Sequence, residues 1–146
     1  MTRRLLILIA ILALLPACTS ATETPAVCQP SKIQISPNEF HEIQADMKSE
    51  GEIWALLFFE RAHANEDEKI VWRITGEGDK LDAQAQSEDG LILTPLWKEY
   101  HGGSNWQRPG QEWGTAFNFP APGCWTITVT RGETTGTISL DVLGSP

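Results

Sequence analysis

The chain has 146 residues, 11 Lys plus Arg against 19 Asp plus Glu, a formal charge of −8 and 41 % hydrophobic residues. That balance excludes a nucleic-acid binder, which needs a basic footprint on phosphates, and excludes attachment to anionic headgroups through a charged face. The length suits one domain with a modest core.

Residues 1–17 read as an export signal. Arg3 and Arg4 form a positive n-region, Leu5 to Leu15 is an unbroken apolar run, and Pro16-Ala17 lead to Cys18. The apolar run is about half the roughly 20 residues a spanning helix needs, which argues against a transmembrane anchor. Leu15-Pro16-Ala17-Cys18 resembles the lipobox of bacterial lipoproteins, although Pro16 is a less common occupant of its position. The resemblance implies that Cys18 becomes the first residue of the mature chain, lipidated (a palmitate-type modification) and anchored to a membrane without crossing it. Thr19, where inner-membrane members of the family often carry Asp, points to the outer membrane of a double-membraned cell, or otherwise to the outer face of the cell membrane. Losing the leader removes Arg3 and Arg4 and no acid, so 129 residues carry 9 Lys plus Arg against 19 Asp plus Glu, or −10.

With Cys18 modified, Cys28 and Cys124 remain, an even count in an exported chain, and a disulfide between them is expected. Two buried free thiols are the alternative.

Residues 18–30, rich in Thr, Ala and Pro, read as a tether, and 31–146 as the folded domain. Lys32 to Ser36 alternates around Ile33 and Ile35 and suits an edge strand stopped by Pro37. Asn38 to Glu52 fits a loop or one helical turn equally well. Ile53 to Phe59 is a run of seven apolar residues that reads as a strand buried on both faces. Glu60 to Lys69 is a polar connector, with Glu66-Asp67-Glu68 expected on a solvated face.

Lys69 to Thr75 alternates, Gly76-Glu77-Gly78-Asp79 breaks it, and a weaker polar strand follows over Lys80 to Gln86. Asp89-Gly90 signals a hairpin into a strand over Leu91 to Trp97, with Pro95 as a bend or edge. Lys98 to Glu112 reads as a long polar loop. Trp113 to Phe119 and the run from Cys124 to Val129 are strands around Pro120-Ala121-Pro122-Gly123 and are expected to form a hairpin. A turn at Arg131 to Thr134 leads into a last strand, Thr137 to Leu143.

Seven or eight short strands and no convincing long helix behind the signal helix make the expected fold an all-β antiparallel sandwich. The segment Phe117 to Val129 resembles the last hairpins of bacterial immunoglobulin-like domains, which implies an immunoglobulin-like sandwich. Pro122-Gly123-Cys124-Trp125 also resembles a segment of uncharacterised bacterial lipoproteins, a likeness that implies no activity.

No catalytic residue is assigned. His101-Gly102-Gly103-Ser104 is similar to the oxyanion element of esterases, but no Gly-x-Ser-x-Gly elbow accompanies it, and a flexible turn is expected. His41, His63 and His101 are widely spaced, and nothing after Cys124 completes a blue-copper set with Met47, so neither metal nor cofactor is expected. A turn-bound calcium at Glu77, Asp79, Glu88 and Asp89 matches no ligand loop of defined spacing.

The six tryptophans carry the functional signal. Trp54, Trp72, Trp113 and Trp125 fall on strands, whereas Trp106 lies in the polar loop with Trp97 and Tyr100 at its entrance. Trp97, Tyr100, His101, Asn105, Trp106, Gln107 and Arg108 are therefore the candidate binding residues, combining flat apolar faces with amide and guanidinium donors. The expectation is a non-enzymatic, membrane-anchored surface or periplasmic interaction module that presents residues 98–112 to a protein or an envelope component. The alternative is a carbohydrate- or cell-wall-binding module that stacks a glycan on Trp106 and Tyr100. A third arrangement has Trp106 folded back to cap one end of the sandwich, buried against Pro109.

Overall fold

The computed structural model describes residues 28–146. The leader, Cys18 and most of the tether lie outside the described residues. Among the described residues eleven strands form two antiparallel sheets, without a helix, the two-layer sandwich that the alternation implies. No helix among the described residues is long and apolar enough to cross a membrane.

One sheet has six strands: β1 (Gln34–Ile35), β2 (His41–Gln44), β4 (Ile53–Leu57), β5 (Asp67–Ile74), β9 (Gln111–Asn118) and β8 (Trp97–His101), in the order β1-β2-β4-β5-β9-β8. The other has β3 (Asp46–Met47), β11 (Thr134–Val142), β10 (Gly123–Arg131), β6 (Asp82–Ser87) and β7 (Ile92–Leu93), in the order β3-β11-β10-β6-β7. Ile43, Ile53, Trp72 and Phe117 from the first sheet meet Trp125, Ile127 and Ile138 from the second. These side chains are almost wholly excluded from water. Phe119 bridges the layers, with ring centroids 5.9 Å from Phe117 and 5.2 Å from Trp125.

Four expectations are corrected. Asn38 to Glu52 holds β2 and β3, because Ile43 and Ala45 point into the core. The run from Leu91 to Trp97 is not one strand: it divides around Pro95 into β7 and β8, which belong to different sheets. Trp97 to His101 pairs with β9 from Ala116 to Glu112, so the expected long loop shrinks to residues 102–110. The Pro120 to Gly123 turn joins β9 of one sheet to β10 of the other, so it is a corner between layers and not a hairpin.

Cys28 is bonded to Cys124, with Cα atoms 5.3 Å apart, as the cysteine count implies. The bond fastens the start of the domain to β10, beside a seam in which Ser31 N–H donates to the Ser139 carbonyl and Ser139 N–H to the Ser31 hydroxyl. Closing a loop of sequence separation 96 restricts the unfolded chain by roughly 4 to 5 kcal/mol in the chain-entropy model. Replacing both Cys28 and Cys124 by Ala is expected to lower unfolding free energy by about 2–5 kcal/mol, read from urea unfolding with midpoint and slope fitted for each protein, the slope rising as the uncrosslinked unfolded chain expands. A double variant as stable as the parent would contradict this account.

Candidate functional site

The two sheets treat their outer faces differently. On β10 and β11 the outward positions between Thr126 and Thr130 and between Thr135 and Ser139 are Thr and Ser, two pairs of which meet across the strands: Thr126 with Ser139 at 3.3 Å and Thr130 with Thr135 at 3.0 Å. That face needs no cover. On the six-stranded sheet, register places Trp54, Leu56, Val71, Gly114 and Ala116 outward together with Glu42, Arg73 and Glu112. Apolar residues in that position need a second layer.

Residues 102–110 supply it. Between β8 and β9 the chain does not turn tightly but lies back over the sheet as a strap, and Trp106 packs on Trp54, Leu56 and Val71 beside Phe40. This explains why all of β4 is buried; the strand expected over Ile53 to Phe59 ends at Leu57, with Phe58 exposed and Phe59 only partly buried beyond it.

Two buried carboxylates hold the strap. Glu42, 2 % exposed, accepts the Trp106 indole N–H on Oε1 at 2.7 Å and Arg108 Nε on Oε2 at 2.8 Å, with Arg108 Nη2 also on Oε2. The Arg108 guanidinium lies over Trp54, 3.6 Å from the ring centroid. Glu112, 4 % exposed, accepts the Ser104 hydroxyl at 2.6 Å and faces His101 Nδ1 at 3.4 Å. Arg73 Nε lies 3.0 Å from Glu112 Oε2, off axis for a hydrogen bond, so that contact is coulombic, while its Nη1 donates to the Gly110 carbonyl at 3.0 Å. Gly110 has φ of 95°, and a Cβ there would run into the Ile74 carbonyl.

The sequence-derived candidates therefore separate. Trp106 is 4 % exposed, so its ring is not available as a stacking platform; it is the folded-back arrangement, seated on the face of a sheet instead of the end of the sandwich. Arg108 is half-buried in its pair with Glu42, and His101 is spent on Glu112. His101 and Ser104 do not form a flexible turn, because both are tied to Glu112. Trp97 (39 % exposed) and Tyr100 (52 %) stay at the surface on edge strand β8, with Asn105 and Gln107 exposed on the strap. Trp97 and His101 lie against Gly114, where a Cβ would come within 2.9 and 3.0 Å of their rings. Tyr100 packs edge-on against Trp113 at 5.2 Å.

Glu42 and Glu112, which organise the strap, carry no motif. Their partners Arg108 and Ser104 lie 66 and 8 positions away. The nearest signal is a Glu in an alternating segment facing a Trp-containing polar loop.

Ser104 donates to Glu112 and not to His101, so this Ser, His and Glu do not form a nucleophile and base. A cleft of ≈ 410 Å³, lined by Ile33, Ile35, His41, Leu57, Phe59 and Leu140 among others, contains no strap residue.

A third buried carboxylate corrects the expectation for Glu66-Asp67-Glu68. Glu66 and Asp67 are exposed, but Glu68 is 4 % exposed and accepts His63 N–H at 2.6 Å. Burial pushes its pKa up from the usual carboxylate value against the pull of that hydrogen bond, and the neighbouring Glu66 pushes it further. Cys124 is in the disulfide and cannot serve copper. Among the described residues, donors gather at His63, Glu66 and Glu68, and not at the Glu77, Asp79, Glu88 and Asp89 considered for calcium.

No family model matches the chain, and no curated relative matches it.

Glu42→Gln keeps an acceptor for Trp106 but removes the charge that holds Arg108. It is expected to cost about 2–4 kcal/mol, below the largest values for a broken buried pair because 30 % of the Arg108 side chain is in water. Tryptophan emission should shift to the red as Trp106 is released, and an unshifted spectrum at parental stability would count against the strap being held this way.

Proposed function

We propose that the chain is an exported, lipid-anchored, non-catalytic module that docks an envelope protein on the outer face of its six-stranded sheet. The observation that carries this reading is the strap, which two buried carboxylates hold in one position. A loop fixed before binding loses little entropy on binding, which favours a recognition surface over a mobile lid. Its accessible groups, Asn105 and Gln107, lie on the strap over the same outer face on which β8 presents the half-exposed Trp97, a combination of aromatic anchor and amide rim common in protein interfaces, while Tyr100 lies on the other side of that edge strand against Trp113.

The leader and lipobox-like segment support anchoring through Cys18, and the Cys28–Cys124 bond is in keeping with an oxidising compartment. The immunoglobulin-like likeness of the closing segment belongs to the same reading. With Trp106 buried, the carbohydrate-binding alternative rests on Trp97 and Tyr100 alone.

Crosslinking through the intact anchor tests the proposal in two steps. Cys18→Ala should abolish incorporation of labelled fatty acid into the chain and leave the leader uncleaved. Trp97→Ala should reduce capture of a defined partner ~10-fold, the scale of an interface anchor worth about 1.4 kcal/mol, while Glu133→Ala on another surface leaves it unchanged. Loss of glycan binding in Trp97→Ala, with no protein captured by the parent, would transfer the proposal to the carbohydrate reading.

A further inference from the structure

Three carboxylates are buried among the described residues: Glu42, Glu68 and Glu112. The first two discussed above each have an arginine, Arg108 for Glu42 and Arg73 for Glu112. Glu68 has none. Among the described residues no Lys or Arg pairs with it, and its one hydrogen bond is the His63 backbone N–H on Oε1. A carboxylate taken out of water with one neutral donor lacks most of the compensation that burial requires. What faces it is another carboxylate and an imidazole. One donor atom from each of His63, Glu66 and Glu68 falls within a group whose members lie within 4.8 Å of one another. We infer that His63, Glu66 and Glu68 form a binding site for a divalent first-row transition metal, for which Zn²⁺ is the reference ion.

The donor set supports that class. An imidazole nitrogen suits Zn, Cu, Ni and Fe, whereas a site for Mg or Ca would be built of oxygens alone. Bond lengths of about 2.0–2.2 Å to nitrogen and carboxylate oxygen require the three donors to close in, and a cation supplies the attraction that mutual repulsion of Glu66 and Glu68 lacks. The exposed Glu66 and half-exposed His63 can make that adjustment by rotamer changes. Three protein ligands leave a further position for water or for a donor from a partner.

The backbone that carries the donors is already fixed. His63 bridges to Leu143 in parallel fashion, Ala64 N–H donates to the Leu143 carbonyl and Leu143 N–H to Ala62. Asn65 N–H donates to the Phe119 carbonyl, and the Ser145 hydroxyl to Ala64. The loop from β4 to β5, the corner from β9 to β10 and the end of β11 therefore meet at the site. Glu68 opens the inward-facing row of β5 opposite Phe117, so the cation would neutralise the charge at the mouth of the core. This inference does not depend on the strap or on the proposed docking face.

Tag-free exported chain in detergent, with its disulfide intact, should bind one Zn²⁺ by titration calorimetry. Co²⁺ in its place should give visible d–d bands. His63→Gln and Glu66→Gln, at exposed or half-exposed positions where folding should survive, should each weaken Zn²⁺ binding ~10-fold or more, while His41→Gln and His101→Gln leave it unchanged. Glu68→Gln should abolish binding without lowering the metal-free melting temperature, since the neutral amide keeps an acceptor for His63 N–H. The inference is overturned by absence of saturable Zn²⁺ binding, by binding indifferent to His63→Gln and Glu66→Gln, or by a preference for Ca²⁺ or Mg²⁺.

Discussion

The outer face of the six-stranded sheet depends on the Glu42 carboxylate. A two-layer sandwich can leave the outside of each sheet in water if that outside is polar, and β10 and β11 do so with Thr and Ser. Trp54, Leu56 and Val71 deny the other sheet that solution. Glu42 stands on the same face, one strand from β4, and its two oxygens take the only tryptophan of the strap and its arginine. The apolar contact brings Trp106 down, but apolar contact has no direction. The charge on Glu42 selects one placement of the strap among those that would cover the patch.

The placement propagates. With Trp106 seated, Ser104 reaches Glu112 on β9, and Gly110 returns the chain beside Ile74 and Arg73 on β5. The strap is thereby tied to β2, β5 and β9, and the strand it leaves, β8, is left as the edge. Trp97 is exposed because the cover is placed over the centre of the sheet, not its margin, and Tyr100, on the other side of β8 against Trp113, is exposed because β8 is the edge strand. On this account the buried ring and the exposed rings have different tasks although they share one stretch of sequence. The disulfide acts at a distance from this, joining the start of the domain to β10 in the other sheet.

What could be read in the chain follows from the range of the forces involved. Strands β5, β9, β10 and β11 each have several apolar residues at period two, a local pattern, and each was legible to within a few residues. Strand β1 falls inside the expected edge strand over Lys32 to Ser36, whereas β3 and β7, of two residues each, are too short for a period of their own to register, so β3 reads as loop, β7 merges with β8 and the strand count comes out low. Strand β2 was missed because its outward residues are Glu42 and Gln44, which in sequence mark solvated positions. Which sheet a strand joins was not legible either: the turn at Pro120 to Gly123 states that the chain bends, while the partners of β9 and β10 are set by β5 and β11. The aromatic loop was visible as a feature, but its direction was not, because that is decided by Glu42, 64 positions before Trp106.

Charge follows a similar logic. In a chain with 19 acidic residues most carboxylates remain in water, and a run such as Glu66-Asp67-Glu68 is indistinguishable in sequence from any other solvated run. Strand alternation separates its members. Asp67 faces out and takes Asn118 across the ladder, while Glu68, one residue on, enters the inward row that continues through Ile70, Trp72 and Ile74. A residue of the same charge thus changes from cheap to costly within 3.3 Å of strand rise, and its cost must be met locally. Glu42 and Glu112 meet it with arginines brought to the outer face of the sheet. At Glu68 the loop provides a backbone N–H, an imidazole and a second acid, an arrangement that leaves positive charge to come from solution.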